Sequence, residues 1–322
     1  MIALATERSL RPLGLGEVLD RAVTLCVANF VPLTLIFLVY AVPLAVIQFY
    51  ATKDLAQIIT VLTQAMQSPK TADSAALARQ LNGVGSVNAW TPVLLLMTFF
   101  VYPLPAAALI VSAARFYLGR PASFAEAYRA ALGRWPHLIG LNFMYGLAGG
   151  FLYLVAIVII IVLALGIGFL YSASAAAGIG IGIIIGVAAL LASLAFAIVA
   201  FLAWQVSTYS CVLEQLNFAV AFVRGLKRVF AGIGLRRSLI VGCAYAAIII
   251  GVELVAALGE VVVIGVLHNT AFGTIYTTIV RIATAAFTTA FVAIFYFDLR
   301  VREEGLDLAM AAQAARIEAP SA

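Results

Sequence analysis

The stretch "FLYLVAIVIIIVLALGIGFL" (151–170) has Tyr153 as its one polar side chain, and it lies inside a longer run, 138–213, without a single Asp, Glu, Lys or Arg. A helix needs roughly 20 apolar residues to cross the ~30 Å hydrocarbon core of a bilayer. The run therefore holds two crossings and a tight turn. The rest of the chain agrees: 65% of its residues are hydrophobic, 10% are charged, and mean hydropathy is +1.12. Soluble domains run about 45–50% apolar and about 25% charged. Most of this chain is solvated by lipid.

Apolar windows bounded by charge or turn residues predict six transmembrane helices, at about 29–50, 91–114, 138–169, 175–207, 238–267 and 272–297. The windows are continuous rather than alternating, which excludes a barrel and makes the expected fold an all-α polytopic membrane protein. A single integral membrane domain over 1–322 is expected, with an outer loop at 51–90 and a tail at 298–322. Residues 1–28 do not read as a cleavable signal, because Glu7, Glu17 and Asp20 are mixed with the bases and no short apolar core precedes a small-residue site.

Most of the 19 lysines and arginines fall on one side of such a bundle. Arg8, Arg11 and Arg21 precede the first crossing; Arg115, Arg120, Arg129 and Arg134 lie between the second and third. Arg224, Lys227, Arg228, Arg236 and Arg237 lie between the fourth and fifth, and Arg300, Arg302 and Arg316 follow the sixth. The positive-inside rule places that side, with both termini, in the cytoplasm. Anionic lipid headgroups are the expected partners of these bases, and nucleic acid is not.

Two of the basic segments align without a gap: "FAEAYRAALGRW" (124–135) over "FAVAFVRGLKRV" (218–229), with "LGEVLDRAVTL" (15–25) a looser third. Phe218, Ala221, Phe222, Gly225 and Val229 recur at helical spacing while Arg224, Lys227 and Arg228 collect elsewhere, the pattern of an amphipathic helix at a membrane surface. The expected unit is an interfacial helix followed by a helical hairpin, in a threefold pseudo-repeat.

Ionisable groups inside a crossing cost about 2.5–3.5 kcal/mol each on insertion scales, so they mark candidate sites. Glu253 and Glu260 share one face of the fifth helix. With a turn at "HNTAFG", Glu260 is level with Arg281 and is expected to pair with it, leaving Glu253 near Thr288 and Thr289 as a candidate intramembrane polar site. Gly178, Gly182 and Gly186 form a smooth face at four-residue spacing, suited to close helix packing within the chain or between copies. Prolines 32, 43, 92, 103 and 105 predict kinks in the first two crossings. Leu55, Ile58, Leu62 and Met66 suggest an amphipathic helix in the outer loop, and Tyr50, Trp90 and Trp204 suggest interfacial anchors.

Enzymatic chemistry lacks a constellation. His137 and His268 fall on opposite sides of the expected topology, and no HExxH, GxSxG or Walker pattern is present. Cys26, Cys211 and Cys243 stand alone, without metal-ligand or disulfide spacing. No cofactor and no metal are expected.

The end of the last crossing, "FYFDLRVREEGLDL" (295–308), carries more charge than topology requires. Arg300 and Arg302 suit a cytoplasmic stop, but Asp298, Glu303, Glu304 and Asp307 gain nothing from that rule. Asp298 and Arg302 are spaced to pair at i, i+4, and the segment is also suited to bind Arg224–Arg237. Asp298, Arg300, Arg302, Glu304 and Asp307 are thus a candidate cytoplasmic latch or docking site.

The opening "RPLGLGEVLD" (11–20) and this ending together resemble the membrane domains of the bacterial glycerophosphoryl diester phosphodiesterase membrane-domain family. Their "RPL-x-x-GE-x-LD" start corresponds to Arg11, Pro12, Leu13, Gly16, Glu17, Leu19 and Asp20. Their "YYDLR-x-R-x-EG-x-D" end corresponds to Asp298, Leu299, Arg300, Arg302, Glu304, Gly305 and Asp307, with Phe297 in place of a tyrosine. The resemblance implies a bacterial six-helix membrane domain that accompanies a soluble phosphodiesterase in some members, and that enzyme domain is absent from this sequence. The expected function is a non-enzymatic scaffold or accessory subunit, docking a protein partner or a second copy at the cytoplasmic face. The alternative is a small transporter or lipid-handling protein with a midplane site near Glu253.

Overall fold

A computed structural model describes residues 11–52, 85–267 and 269–305, and it is helical throughout, without strands among the described residues. The helices are α1 (Leu15–Ala28), α2 (Phe30–Thr52), α3 (Gly85–Leu96), α4 (Pro103–Tyr117), α5 (Phe124–Ala173), α6 (Ala175–Leu213), α7 (Phe218–Phe230), α8 (Ile233–Leu267) and α9 (Thr270–Glu304). A π-helical segment, Met97–Val101, joins α3 to α4. Six spans are long and apolar enough to cross a membrane: Phe30–Ala51, Trp90–Tyr117, Phe124–Ala164, Ile179–Leu213, Gly234–Leu267 and Ala271–Glu304. The expected outer-loop helix, His268 and Asp307 lie outside the described residues.

The chain groups into two compact units. One contains residues 17–135 and 248–294; the other contains residues 1–16, 136–247 and 295–322. In the first, α2 packs along α3 and α4. Leu33, Ile36, Phe37, Ala107, Ala108 and Ala113 are buried there, so large side chains on one helix meet small ones on the other. Its prolines explain the π segment. Pro103 and Pro105 carry no N–H, so the ordinary i to i−4 ladder fails ahead of them and the turn widens, with Tyr102 N donating to Met97 O at 2.8 Å. The Phe100 carbonyl, whose residue five along is Pro105, accepts from Trp135 Nε1 at 2.7 Å instead.

In the second unit α7 packs along α6. Asn217 caps α7 by accepting from Val220 N at 2.9 Å, and Gly232, at φ +49°, turns the chain into α8. Helices α1 and α7 and the first turns of α5 bury equivalent positions: Val18, Ala127 and Ala221, then Ala22, Ala131 and Gly225. One expectation needs correction here. The 124–135 segment is not a separate interfacial helix but the start of one 50-residue helix, which runs on through Pro136. A proline deletes one rung, and a span whose carbonyls have no water to turn to keeps its remaining rungs.

Much of the middle of α5 is bare. Phe151, Leu152, Tyr153, Leu154 and Val155 are consecutive and all exposed, so no side of that helix is covered by the chain. On α6, Gly182 lies against Ile167 of α5, Gly186 faces open space, and the surroundings of Gly178 fall outside the described side chains.

Candidate functional site: a charged clasp at the helix ends

The second unit gathers the C-terminal ends of α6 and α9, the N-terminal end of α8, helix α7 and the segment before α1. Two linked clusters of charge join them. The first centres on Asp298, in the last turns of α9 and only 1% exposed. Its Oδ1 accepts the Leu13 amide at 2.8 Å, and its Oδ2 accepts Arg237 Nε of α8 at 3.0 Å. Arg302 Nε reaches both oxygens at 3.1 Å. The same two arginines bind the Leu13 carbonyl, Arg237 Nη2 at 2.8 Å and Arg302 Nη2 at 2.7 Å. Both polar groups of one backbone residue are therefore held, and its side chain is buried as well, at 2% exposure. The opening "RPL" and the ending "DLRVR" are parts of one structure.

The second cluster centres on Arg228, a cation of α7 that is 3% exposed. A charge buried this deeply is tolerable only when it is paired and fully hydrogen-bonded. Arg228 Nη1 donates to Ser210 Oγ at 2.7 Å and to Glu214 Oε1; Nη2 donates to Glu214 Oε2 at 3.2 Å and to Glu304 Oε1. Glu214 also accepts from Arg224 Nη1 at 2.6 Å and from the Tyr296 hydroxyl at 2.5 Å. Arg300 Nε closes the cluster on Glu304 Oε2 at 2.8 Å. The Tyr296 ring lies beneath both guanidinium groups, 5.6 Å from Arg228 and 5.8 Å from Arg300.

Burial pushes the Glu214 carboxyl up, but hydrogen bonds from Arg228, Tyr296 and Arg224 outweigh it and hold the group down at about 2. The same carboxylate keeps Arg228 more firmly protonated than an ordinary arginine, against the opposing pull of burial. At neutral pH both are charged and saturated by each other. Such groups hold helix ends in register, whereas a general base needs an oxygen free for a substrate proton.

Two sequence expectations change. Arg228 belongs to this buried network, not to a solvated basic face. Glu260 and Arg281 do not form the expected hairpin pair: Arg281 Nη1 donates to Gln48 Oε1 of α2 at 2.7 Å. The reason is register. Helix α9 resumes at Thr270, so the turn is shorter than "HNTAFG". Gly259 then lies against Tyr276, and Gly273 against Ile264 and the Glu260 side chain. Glu260 is thereby more than one helical turn (~5.4 Å) away from level with Arg281. Glu253 is exposed on α8. Trp204, expected as an interfacial anchor, gives its indole N–H to Asn142 Oδ1 at 3.1 Å.

Sequence reasoning passed over Glu214, Ser210, Tyr296 and the Leu13 peptide. Glu214 carried a usable signal, since it is an acid directly after an uncharged span on the side where topology favours bases, as Asp298 is. Comparison with known proteins finds no family model that matches this chain, and no characterised protein or solved structure that does.

Proposed function

We propose that this chain is a non-enzymatic scaffold or accessory subunit of the bacterial cytoplasmic membrane, with both termini in the cytoplasm, that docks a protein partner at its cytoplasmic face. The observation that carries this reading is the clasp: its acids and bases are spent on one another and on the Leu13 peptide. A network of that kind rigidifies the helix ends it joins and leaves them no free acid or base for chemistry. The exposed group of Leu118, Arg120, Phe124 and Arg129 in the other unit is the docking surface, mixing aromatic and aliphatic area with two cations. The resemblance of the opening and ending to membrane domains that accompany a phosphodiesterase supports an accessory role.

The test is crosslinking and co-purification from native membranes. Wild-type chain should retain one stoichiometric protein, and Arg120→Glu with Arg129→Glu should lose it while staying in the membrane. Recovery of the wild-type chain alone would sink the reading. A second reading, transport or lipid handling, rests on Glu253, because a carboxyl exposed on the flank of a spanning helix is costly without a partner. It predicts solute or lipid movement in proteoliposomes that Glu253→Gln abolishes.

A further inference from the structure

Helix α7 has a second face, of which the clasp uses Arg224 alone. Ala221, Gly225, Arg228 and Val229 are turned inward, while Ala219, Val220, Val223, Arg224, Lys227 and Phe230 are exposed. Five of these line a groove of about 430 Å³: Ala219, Val220, Val223, Arg224 and Lys227. The exposed face thus carries aliphatic and aromatic area flanked by two cations, of which Arg224 is bonded to Glu214 and Lys227 stands outside the clasp.

Its depth follows from its neighbour. Gly225 lies directly on Ser207, where an added methyl group would stand 1.9 Å from Ser207 Oγ. Ser207 is six residues from Leu213, the end of an apolar span, hence about 9 Å along the axis. Helix α7 therefore runs beside the last two turns of a membrane span, at the acyl-to-headgroup boundary rather than out in water. We infer that this face is a docking site for anionic phospholipid, with the phosphate diester held by Lys227 and Arg224 and the upper acyl region against Val220 and Val223. Arg224 gives one N–H to Glu214, and a guanidinium has five to give. This site is independent of the partner-docking surface proposed above.

The experiment uses the purified full chain and native mass spectrometry with phosphatidylglycerol, phosphatidylcholine and soluble glycerol phosphate as probes. A lysine near an anionic surface contributes about fivefold in affinity. Lys227→Gln should lower phosphatidylglycerol retention by about that factor, while Arg236→Gln, which removes the same charge from the exposed start of α8, should not. Both side chains are exposed, so both variants are expected to fold. Depth is read separately, from a nitroxide on Val223→Cys in a background with Cys26, Cys211 and Cys243 changed to alanine. Collisions with oxygen should exceed those with a water-soluble nickel chelate. Equal losses in the two glutamine variants, no preference over phosphatidylcholine, equal retention of glycerol phosphate, or nickel-dominated collisions would each overturn the assignment.

Discussion

Gly225 brings α7 hard against α6 at Ser207, and it shows how little room the second unit leaves there. A Cβ there would stand 2.8 Å from the Ser207 Cα as well as 1.9 Å from its hydroxyl, so side-chain rotation cannot relieve it. Gly225→Ala should lower stability by about 1–3 kcal/mol, read as a fall in unfolding temperature in detergent. Adding Ser207→Gly should restore only part of the loss, because it removes the hydroxymethyl group and leaves the backbone of residue 207 in the way. Glu214, just past the end of α6, makes a pH prediction. Its folded pKa, about 2, is below the ordinary 4.5. The stabilisation it contributes is complete above about pH 4.5 and lost as pH falls towards 2. The stability gap between wild type and Glu214→Gln should therefore be constant from pH 8 to 5 and shrink on further acidification. A gap that stays level down to pH 3 would mean the carboxylate is not the partner of Arg228.

At the scale of elements, the clasp does what the helix pattern cannot, which is to fix where a segment without periodicity goes. Residues 11–14 precede α1 and have no helix to join. Asp298 holds them through one amide, and Arg237 and Arg302 through one carbonyl. Replacing Asp298 by alanine leaves two buried or half-buried guanidinium groups without their acid, and breaking such a pair typically destabilises by about 3–5 kcal/mol. Asp298→Ala should lower the unfolding temperature and speed hydrogen exchange at the Leu13 amide, which loses its acceptor. The i, i+4 spacing of Asp298 and Arg302 was visible in "DLRVR". That Leu13 lies between them was not, because no local pattern connects residues nearly three hundred positions apart. The failure of the Glu260–Arg281 pair has the same root. A hairpin's register depends on how many residues its turn consumes, and a shift of more than one turn separates two side chains that sequence counting placed level.

For the molecule as a whole, the direction in which it crosses the membrane is the first thing to test. In sealed right-side-out vesicles of a cysteine-free background, single cysteines at 120 and 227 should resist a membrane-impermeant maleimide until the vesicles are opened. Labelling at both positions from outside would invert the proposed topology. Six spans, their approximate limits and the all-α class were legible because they depend on one term, the transfer of apolar side chains into hydrocarbon. That term is local and additive along the chain, so a count of apolar residues measures it. The prolines of the second span were legible as a disturbance, although its form, a widened turn with its freed carbonyl taken by Trp135, depended on where an indole arrived.

Charges behave differently. Composition and the positive-inside rule treat Arg228 and Arg237 as equivalent to Arg120, since each adds one positive charge to the same side. In the folded chain Arg228 is buried among Ser210, Glu214 and Glu304 while Arg120 is exposed, and only the packing of α7 on α6 separates the two. The energy of a charge depends on distance and on the surrounding medium, and neither is a property of sequence position. The length and continuity of the apolar runs were enough to determine that this chain is a helical membrane protein. Which of its charges form the clasp, and which face of α7 stays exposed, was decided by tertiary packing.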